Sequence, residues 1–219
     1  MGTSKTIGLE ADIQQYLIDH SIPRTGVHTA LVEATENAVG NMAIMQIPEE
    51  QGAFMTLLAK MTAPEIAVEV GTFTGYSALC IAQGLPTHGK LIACDISDDY
   101  TSLAKPFWEE AGVAEKIDLR IGPAIDTLRA LPDDEAVGLA FIDADKESYR
   151  DYYEELLKRL EHGGLIVVDN VLLFGTVTQP SHDSAVKAMK EFNRFVAADD
   201  RVDVSMINVA DGLSLIRKR

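Results

Sequence analysis

From about Ile66 onward, the chain alternates between short apolar runs and amphipathic stretches. Continuous apolar runs of this length are typical of parallel strands that are buried on both faces. They predict strands at Ile66–Val70, Leu91–Cys94, Ile117–Ile121, Val137–Ile142 and Leu165–Val168. The stretches between them carry apolar residues at helical spacing. They predict helices at Thr74–Gln83, Tyr100–Ala111, Ile125–Ala130 and Lys146–Leu160.

The end of the chain breaks this alternation. A helix at Asp183–Ala197 is followed by strands at Val202–Asn208 and Leu213–Arg217, which an Asp211-Gly212 turn joins as a hairpin. Strands that alternate with helices form right-handed βαβ units. We therefore predict an α/β fold: a doubly wound, Rossmann-like, mostly parallel seven-stranded sheet with an antiparallel last strand, plus N-terminal helices.

The first sixty residues have helical patterns without strands between them. Apolar positions at helical spacing cover Glu10–Asp19, Val27–Asn41 and Glu49–Lys60, and Pro48 suits the start of the third helix. We predict a single domain over residues 1–219. Residues 1–60 would form a helical cap or dimer layer over the ligand edge of the sheet, and residues 61–219 the cofactor-binding α/β core.

Composition narrows the range of partners and compartments. The net charge of −15 over 219 residues disfavours binding to a nucleic-acid backbone. No apolar run approaches the roughly 20 residues of a membrane span, and the N-terminus lacks a signal-peptide pattern. Cys80 and Cys94 lie in apolar segments, which indicates reduced core residues. We expect a cytoplasmic protein that does not bind membranes.

A glycine-containing loop, Glu69-Val-Gly71-Thr-Phe-Thr-Gly75, follows the first strand and opens a helix. Gly71 permits a tight turn and close approach of a ligand, although glycine packing at a strand–helix turn is the plainer interpretation. The spacing is not that of a dinucleotide site. Asp95 ends the next strand and could accept both ribose hydroxyls. Gly122-Pro-Ala124 follows the third strand, where the adenine side of such a crevice lies. Together they predict a site for an adenosine-bearing ligand.

Hard oxygen ligands follow the fourth and fifth strands. Asp143 comes directly after the fourth strand, and Asp169 and Asn170 come directly after the fifth. Because neighbouring parallel strands end at the same edge of the sheet, these side chains should meet there. An all-oxygen set favours Mg²⁺, with Ca²⁺ or Mn²⁺ as alternatives. The competing interpretation of Asp169-Asn170 is a helix cap or turn.

Lys146 lies three residues after Asp143. A divalent cation beside it disfavours its ammonium form, so Lys146 is a candidate general base. The alternative is a solvated lysine in the first turn of a helix. Tyr149 and Tyr152 follow on the same helix, where each could line the pocket or pack in the core.

These segments resemble the cation-dependent O-methyltransferases, the family that includes caffeoyl-coenzyme A and catechol O-methyltransferases. The resemblance runs from about Tyr16 to Ile216. Its signatures are Glu69-Val-Gly-Thr-Phe-Thr-Gly-Tyr-Ser77, Ile92-Ala-Cys-Asp95, Gly122-Pro-Ala124, Phe141-Ile-Asp-Ala-Asp-Lys146 with Tyr149, and Gly163-Gly-Leu-Ile-Val-Val-Asp-Asn170.

The resemblance implies S-adenosylmethionine as the methyl donor and a homodimer as the assembly. It implies these roles: Glu69, Gly71 and Ser77 for the methionine part, Asp95 for the ribose, Ala124 beside the adenine, Asp145 lining the cofactor pocket, Asp143, Asp169 and Asn170 for the metal, and Lys146 as the base. We add Ile47, Thr72, Asp143 and Tyr152 to the cofactor-binding set, and Asp143 with Lys146 to the catalytic set. The chain departs from many relatives at Gln46-Ile47 and at Leu172-Leu173-Phe174, and these departures concern the acceptor and not the reaction.

Our leading hypothesis is a metal-dependent O-methyltransferase that acts on a vicinal-diol (catechol-type) phenolic small molecule. An alternative keeps the chemistry but methylates a hydroxyuridine of tRNA; the Arg217-Lys-Arg219 tail favours it weakly and the acidic balance opposes it. A non-catalytic protein that binds an adenosine ligand and an NAD-dependent oxidoreductase are weaker interpretations.

Overall fold

A single sheet carries the strands β1 (Ile66–Val70), β2 (Lys90–Asp95), β3 (Ile117–Ile121), β4 (Val137–Ile142), β5 (Leu160–Val168), β6 (Val202–Ile207) and β7 (Leu213–Lys218). Their order is β3-β2-β1-β4-β5-β7-β6. The pairs from β3 through β5 are parallel, and β7 is antiparallel to both of its neighbours. The strand order reverses between β1 and β4, which is where open α/β sheets keep their ligands.

The structure, a computed structural model, describes residues 7–22, 24–132 and 136–219. The first six residues of the predicted N-terminal layer therefore lie outside it. The α-helices are α1 (Ala11–Asp19), α2 (Gly26–Val39), α3 (Glu49–Thr62), α4 (Tyr76–Gly84), α5 (Asp98–Thr101), α6 (Lys105–Glu110), α7 (Ala124–Ala130), α8 (Tyr149–Arg159) and α9 (Ser184–Ala197). Short 3-10 helices cover Gly40–Met45, Ala114–Lys116, Lys146–Ser148 and Leu173–Thr178. Within the described ranges, no helix is both long and apolar enough to cross a bilayer.

The central strands β1 and β4 are buried on both faces, as their apolar runs predict, whereas the edge strand β6 is mostly exposed. Helices α7, α8 and α9 pack against Val68 and Val70 on one face. On the other face, α2, α3, α4 and α6 pack against Ala67 and its neighbours. Consecutive side chains of a strand point to opposite faces, so β1 contributes to both cores. The doubly wound sheet with its antiparallel last strand is thus confirmed.

Three predicted strands, β1, β3 and β4, have the bounds given by the sequence pattern. The predicted helix at Tyr100–Ala111 is wrong as one element, because it is divided into α5 and α6. Ser97 caps α5 by accepting a hydrogen bond from the Tyr100 amide (3.3 Å). Pro106 lies in the first turn of α6, where its missing N–H costs nothing but where it cannot continue an earlier helix.

The boundary between the fourth helix and the fifth strand also differs from the prediction. Leu160, predicted as the end of a helix, begins β5 and pairs with Val137, whereas Leu165 pairs with Leu139. The four residues between these two pairs loop out of register, and Gly163 adopts a φ of 83° there. A glycine supports this backbone conformation without the strain that a β-carbon introduces.

Candidate active site

A cavity of about 1160 Å³ opens at the carboxyl ends of the central strands. Every predicted site residue except Glu69 lines it: Ile47, Gly71, Thr72, Ser77, Asp95, Ala124, Asp143, Asp145, Lys146, Tyr152, Asp169 and Asn170. The topology accounts for this gathering, since β1 through β5 are parallel and each tip turns into a loop on the same edge.

The Asp95 carboxylate organises the glycine loop. Its Oδ2 accepts hydrogen bonds from the amides of Thr72 (2.9 Å) and Phe73 (2.7 Å), and its Oδ1 accepts one from the Ser97 amide (2.8 Å). Phe73 has a φ of 49°, an uncommon backbone conformation that these bonds help to hold. Asp95 therefore joins the loop after β1 to the tip of β2, and its Oδ1, which accepts only one of these bonds, retains capacity for a further donor such as a ribose hydroxyl.

Gly71 is required by a neighbouring strand and not only by a ligand. It adopts a φ of 93°, and a β-carbon at this position would lie 1.9 Å from the Asp143 carbonyl oxygen. The tips of β1 and β4 are held together there by the Asp143 amide, which donates to the Val70 carbonyl at 2.8 Å. This contact supports the plainer interpretation of Gly71, glycine packing at the strand–helix turn, and the predicted approach of a ligand stays a prediction.

Glu69 lies behind the cavity wall, and its predicted contact with the cofactor stays a prediction. It is 0% exposed, while its neighbours Thr72 and Ser77 line the cavity. Neither carboxylate oxygen receives a hydrogen bond of ordinary geometry within the described ranges. Burial raises the pKa of Glu69 to about 8, and the nearby Ser77 and Thr72 hydroxyls oppose that shift. The loop after β1, through Thr72 and Ser77, therefore separates the Glu69 carboxyl from the cavity.

Lys146 bridges the predicted metal ligands. Its Nζ donates to Asn170 Oδ1 (2.7 Å), Asp143 Oδ1 (3.1 Å) and the Tyr149 hydroxyl (2.6 Å). Two oxygens from adjacent strand tips therefore bind one cationic group at the same time. Asn170 adopts a φ of 58°, a left-handed conformation that asparagine tolerates better than most residues and that turns the chain sharply after β5.

Asp169 is held by a residue from the N-terminal layer. Its Oδ2 accepts a hydrogen bond from Gln51 Nε2 (2.7 Å), and its Oδ1 accepts one from the Asn170 amide (2.6 Å). Burial and the charge of Asp143 both raise the pKa of Asp169, against the opposing effect of Gln51 and Lys146. A cation between the two carboxylates would relieve this repulsion.

The donor set suits a hard cation in its chemistry. Asp143, Asp169 and Asn170 offer carboxylate and amide oxygens, the ligands that Mg²⁺ and Ca²⁺ prefer. The amine of Lys146 is already bound by two of the three. Across the described ranges, no three His, Cys, Asp or Glu side chains converge as a metal-binding group. The proposed set therefore depends on the amide oxygen of Asn170 as its third member.

The two tyrosines after Lys146 have different positions. Tyr152 lines the cavity and donates its hydroxyl to Asp145 Oδ1 (2.7 Å). Burial, reinforced by this carboxylate, raises the pKa of Tyr152. Tyr149 is fully buried, accepts from Lys146, and donates to the Asp169 carbonyl oxygen (3.3 Å). Tyr152 is therefore a wall of the cavity and Tyr149 an internal support for Lys146.

Among the cavity residues that sequence reasoning missed are two polar side chains, Gln51 and Asp211. Gln51 lies on α3, whose rotation about its axis is set by packing and leaves no local sequence signal. Asp211 was assigned only to a hairpin turn, yet it is 4% exposed and lines the cavity beside Phe174. Its Oδ1 accepts a hydrogen bond from the Phe174 amide at 2.6 Å. The hairpin itself is confirmed, since Ile207 pairs with Leu213.

Comparison with known proteins places this architecture in a family. The sequence model of the O-methyltransferase family matches residues 19–219. A protein named "Probable caffeoyl-CoA O-methyltransferase 1" from Dictyostelium discoideum is 38% identical over 211 residues, which cover 94% of this chain and 91% of that protein. Caffeoyl-CoA O-methyltransferase 1 of Zea mays is 37% identical over 220 residues, covering 94% of this chain and 84% of that protein.

A solved structure gives the same result for the fold. The O-methyltransferase TomG from Streptomyces achromogenes, which is involved in tomaymycin synthesis and was solved in complex with S-adenosylmethionine, superimposes with a TM-score of 0.87. The two chains are 27% identical, and the match covers 94% of this chain and 96% of TomG. On this fold, this cavity and these relatives, the chain belongs to the O-methyltransferase family and is an S-adenosylmethionine-dependent O-methyltransferase of the caffeoyl-CoA O-methyltransferase type.

Proposed function

We propose that this enzyme methylates one hydroxyl of a catechol-type phenolic small molecule and requires a divalent cation, in the first place Mg²⁺, with Ca²⁺ or Mn²⁺ as alternatives. One observation supports the proposal above the others. Asp143 and Asn170, at the tips of adjacent strands, bind a single amine cation together. Asp143, Asp169 and Asn170 would hold the metal, which supplies a lowered pKa of the acceptor hydroxyl and a fixed position for two adjacent oxygens.

The donor half of the cavity is assigned to residues from the tips of β1, β2 and β3. S-adenosylmethionine supplies an electrophilic methyl group when it is bound. Asp95 would accept the ribose hydroxyls, Ala124 would lie beside the adenine, and the loop from Gly71 through Ser77 would hold the methionine part. Asp145 and Tyr152 close the same wall through their mutual hydrogen bond. Their task is to align the donor, because in-line transfer depends mainly on positioning.

Lys146 is the proposed base. The Lys146 amine donates to the Tyr149 hydroxyl at 2.6 Å. Tyr149 is not a proposed metal ligand, so it would remain available as a partner of Lys146 if Asp143 and Asn170 held a metal. The amine would then face the acceptor hydroxyl and remove its proton as the methyl group is transferred. Apolar side chains at the cavity mouth, including Leu173 and Phe174, would exclude water from the acceptor ring.

Two other acceptors receive less support from the site. Among the described residues, five carboxylates and one lysine are the charged side chains that line the cavity, an arrangement that repels the phosphates of tRNA. Caffeoyl-coenzyme A, the acceptor in the names of the relatives, is also anionic. The mouth of the cavity contributes the apolar side chains of Ile44, Met45 and Phe174, which offer no cationic partner to a phosphate. A small phenolic acceptor fits this surface best.

The experiment compares the wild type with Asp143→Asn and with Asp118→Asn, which removes the same charge at an exposed position of β3. Methyl transfer to a catechol should fall by at least about a hundredfold in Asp143→Asn. A chelator that removes the metal should lower the wild-type rate by a similar factor, and added Mg²⁺ should restore that rate. Calorimetry should show S-adenosylmethionine binding within about tenfold of wild type, because Asp143 contributes chiefly to the acceptor side. Full turnover after thorough chelation would rule out the metal.

A further inference from the structure

Asp211 has one carboxylate oxygen that the fold uses and one that it does not. Oδ1 accepts a hydrogen bond from the Phe174 amide at 2.6 Å and so ties the β6–β7 loop to the segment after β5. Oδ2 is buried and has no hydrogen-bond partner among residues 7–22, 24–132 and 136–219. A buried, unsatisfied polar atom costs on the order of 1–3 kcal/mol, and a charged one costs more. A purely structural role accounts for Oδ1 but leaves Oδ2 unexplained.

The surroundings of Asp211 show which side of the cavity its free oxygen can serve. The side chain lines the cavity together with Lys146, Leu173 and Phe174. Burial raises the pKa of the Asp211 carboxyl, with the Phe174 amide and the Lys146 charge opposing and Asp143 reinforcing the shift. Asp211 is thus electrostatically coupled to the proposed base and to a proposed metal ligand. It belongs to the acceptor half of the cavity.

The other members of this half are apolar or acidic. Phe174 is 65% exposed, and Ile44 and Met45 are 63% and 48% exposed at the same mouth. Lys146 is the one cationic side chain among the described residues that line the cavity, and the proposed function assigns it to the reacting hydroxyl. Within this described lining, no cationic side chain therefore remains to neutralise a negative group on the acceptor.

We propose that Asp211 determines acceptor specificity by charge: its Oδ2 receives a hydrogen-bond donor on the acceptor, so the enzyme selects neutral or cationic catechols with an apolar body and discriminates against anionic ones. A donor on the acceptor satisfies the buried oxygen, and an ammonium does so most strongly because the bond is charge-assisted. A carboxylate at the same place leaves Oδ2 unsatisfied and adds like-charge repulsion. The inference rests on the proposed function, since it names the acceptor of that same site.

The test uses three catechols that share a short side chain ending in an ammonium, an alcohol or a carboxylate. For the wild type, kcat/KM should follow that order. Asp211→Asn keeps an oxygen for the Phe174 amide and removes the charge, so it should reduce the ammonium-to-carboxylate ratio by about tenfold or more. Asp203→Asn is the matched control, because Asp203 is exposed on β6 and does not line the cavity. It should leave the ratio unchanged.

The alcohol separates specificity from damage to the fold. Loss of order in the segment around Phe174 would lower all three kcat/KM values by the same factor. The proposal instead requires kcat/KM for the ammonium and for the carboxylate to change in opposite directions relative to the alcohol. An unchanged ratio in Asp211→Asn, or an equal change in Asp203→Asn, would overturn the proposal. So would a wild-type preference for the carboxylate, which is measured without any variant. Should the wild type methylate none of the three, the proposed function itself fails and this inference falls with it.

Discussion

Replacing Gly71 by alanine tests how the site is held together. The added β-carbon would lie 1.9 Å from the Asp143 carbonyl oxygen and 2.7 Å from its carbon. Ordinary contacts begin near 3.4 Å, so the tips of β1 and β4 must separate by about 1.5 Å. That movement breaks the 2.8 Å hydrogen bond from the Asp143 amide to the Val70 carbonyl. It also displaces the carboxylate that we assign to the metal.

The magnitude follows from three contributions. A left-handed conformation costs an alanine about 1–2 kcal/mol. The collision adds about 1–3 kcal/mol, and the broken hydrogen bond about 1 kcal/mol. We therefore expect Gly71→Ala to lower the free energy of unfolding by about 3–6 kcal/mol, which is a large share of the roughly 5–15 kcal/mol of a typical domain.

Two other glycines separate these contributions. Gly112 has a φ of 70° and no atom within 4 Å of the position that a β-carbon would take, so Gly112→Ala isolates the conformational cost. Gly75 has a φ of 82° and would place its β-carbon 2.4 Å from the Ala104 β-carbon, away from Asp143. Gly75→Ala should be destabilised by a collision as well, but should keep more methyl transfer per folded molecule than Gly71→Ala.

The assay is urea unfolding followed by circular dichroism, combined with initial rates of methyl transfer at a known folded fraction. We expect a loss of about 1–2 kcal/mol for Gly112→Ala and a clearly larger one for Gly71→Ala. If Gly71→Ala were as stable as Gly112→Ala and retained wild-type turnover, the strand tips would not be in the contact that this site requires.

Two further predictions concern buried polar groups. Gln51→Leu should weaken Mn²⁺ binding in calorimetry by about 10–100-fold, because Asp169 loses the donor that orients it. The control is Gln14→Leu, which removes a hydrogen bond to Glu50 in the same N-terminal layer and should leave Mn²⁺ binding unchanged. Equal Mn²⁺ affinity in the two variants would contradict the role of Gln51. Burial raises the pKa of Glu69 to about 8, so between about pH 4.5 and 8 the folded protein keeps this proton while the unfolded chain loses it. The contribution of Glu69 to the free energy of unfolding therefore falls as pH rises, by up to about 1.4 kcal/mol per pH unit. Glu69→Gln should lack this slope in urea unfolding from pH 5 to 8, and a pH-independent difference between the two proteins would refute the buried proton.

The sequence predicts those parts of the molecule that local pattern controls. The bounds of β1 and β4 follow from apolar runs, and those of β3 from an alternation of apolar and charged residues that ends at Gly122-Pro123. The tips of parallel strands necessarily share one edge. Hence the amino-acid sequence alone groups Asp95, Asp143 and Asn170 at one edge of the sheet. The roles assigned to them, and the homodimer that the resemblance implies, stay predictions.

Other features depend on contacts between distant segments and have no local signal. The early start of β5 depends on the pairing of Leu160 with Val137 across a register shift. Hydrophobic periodicity describes one segment at a time, so it cannot report such pairings.

Gln51 and Asp211, which sequence reasoning missed, have a common origin. Gln51 belongs to the N-terminal layer and Asp211 to the terminal hairpin, and both segments lie outside the repeating β–α units. The donor residues, in contrast, follow directly from the tips of β1, β2 and β3. We infer that the outer segments add acceptor-side residues to those that the tips of β4 and β5 supply. Substitutions in the outer segments can therefore change the acceptor while the donor loop, held by Asp95, keeps its hydrogen bonds.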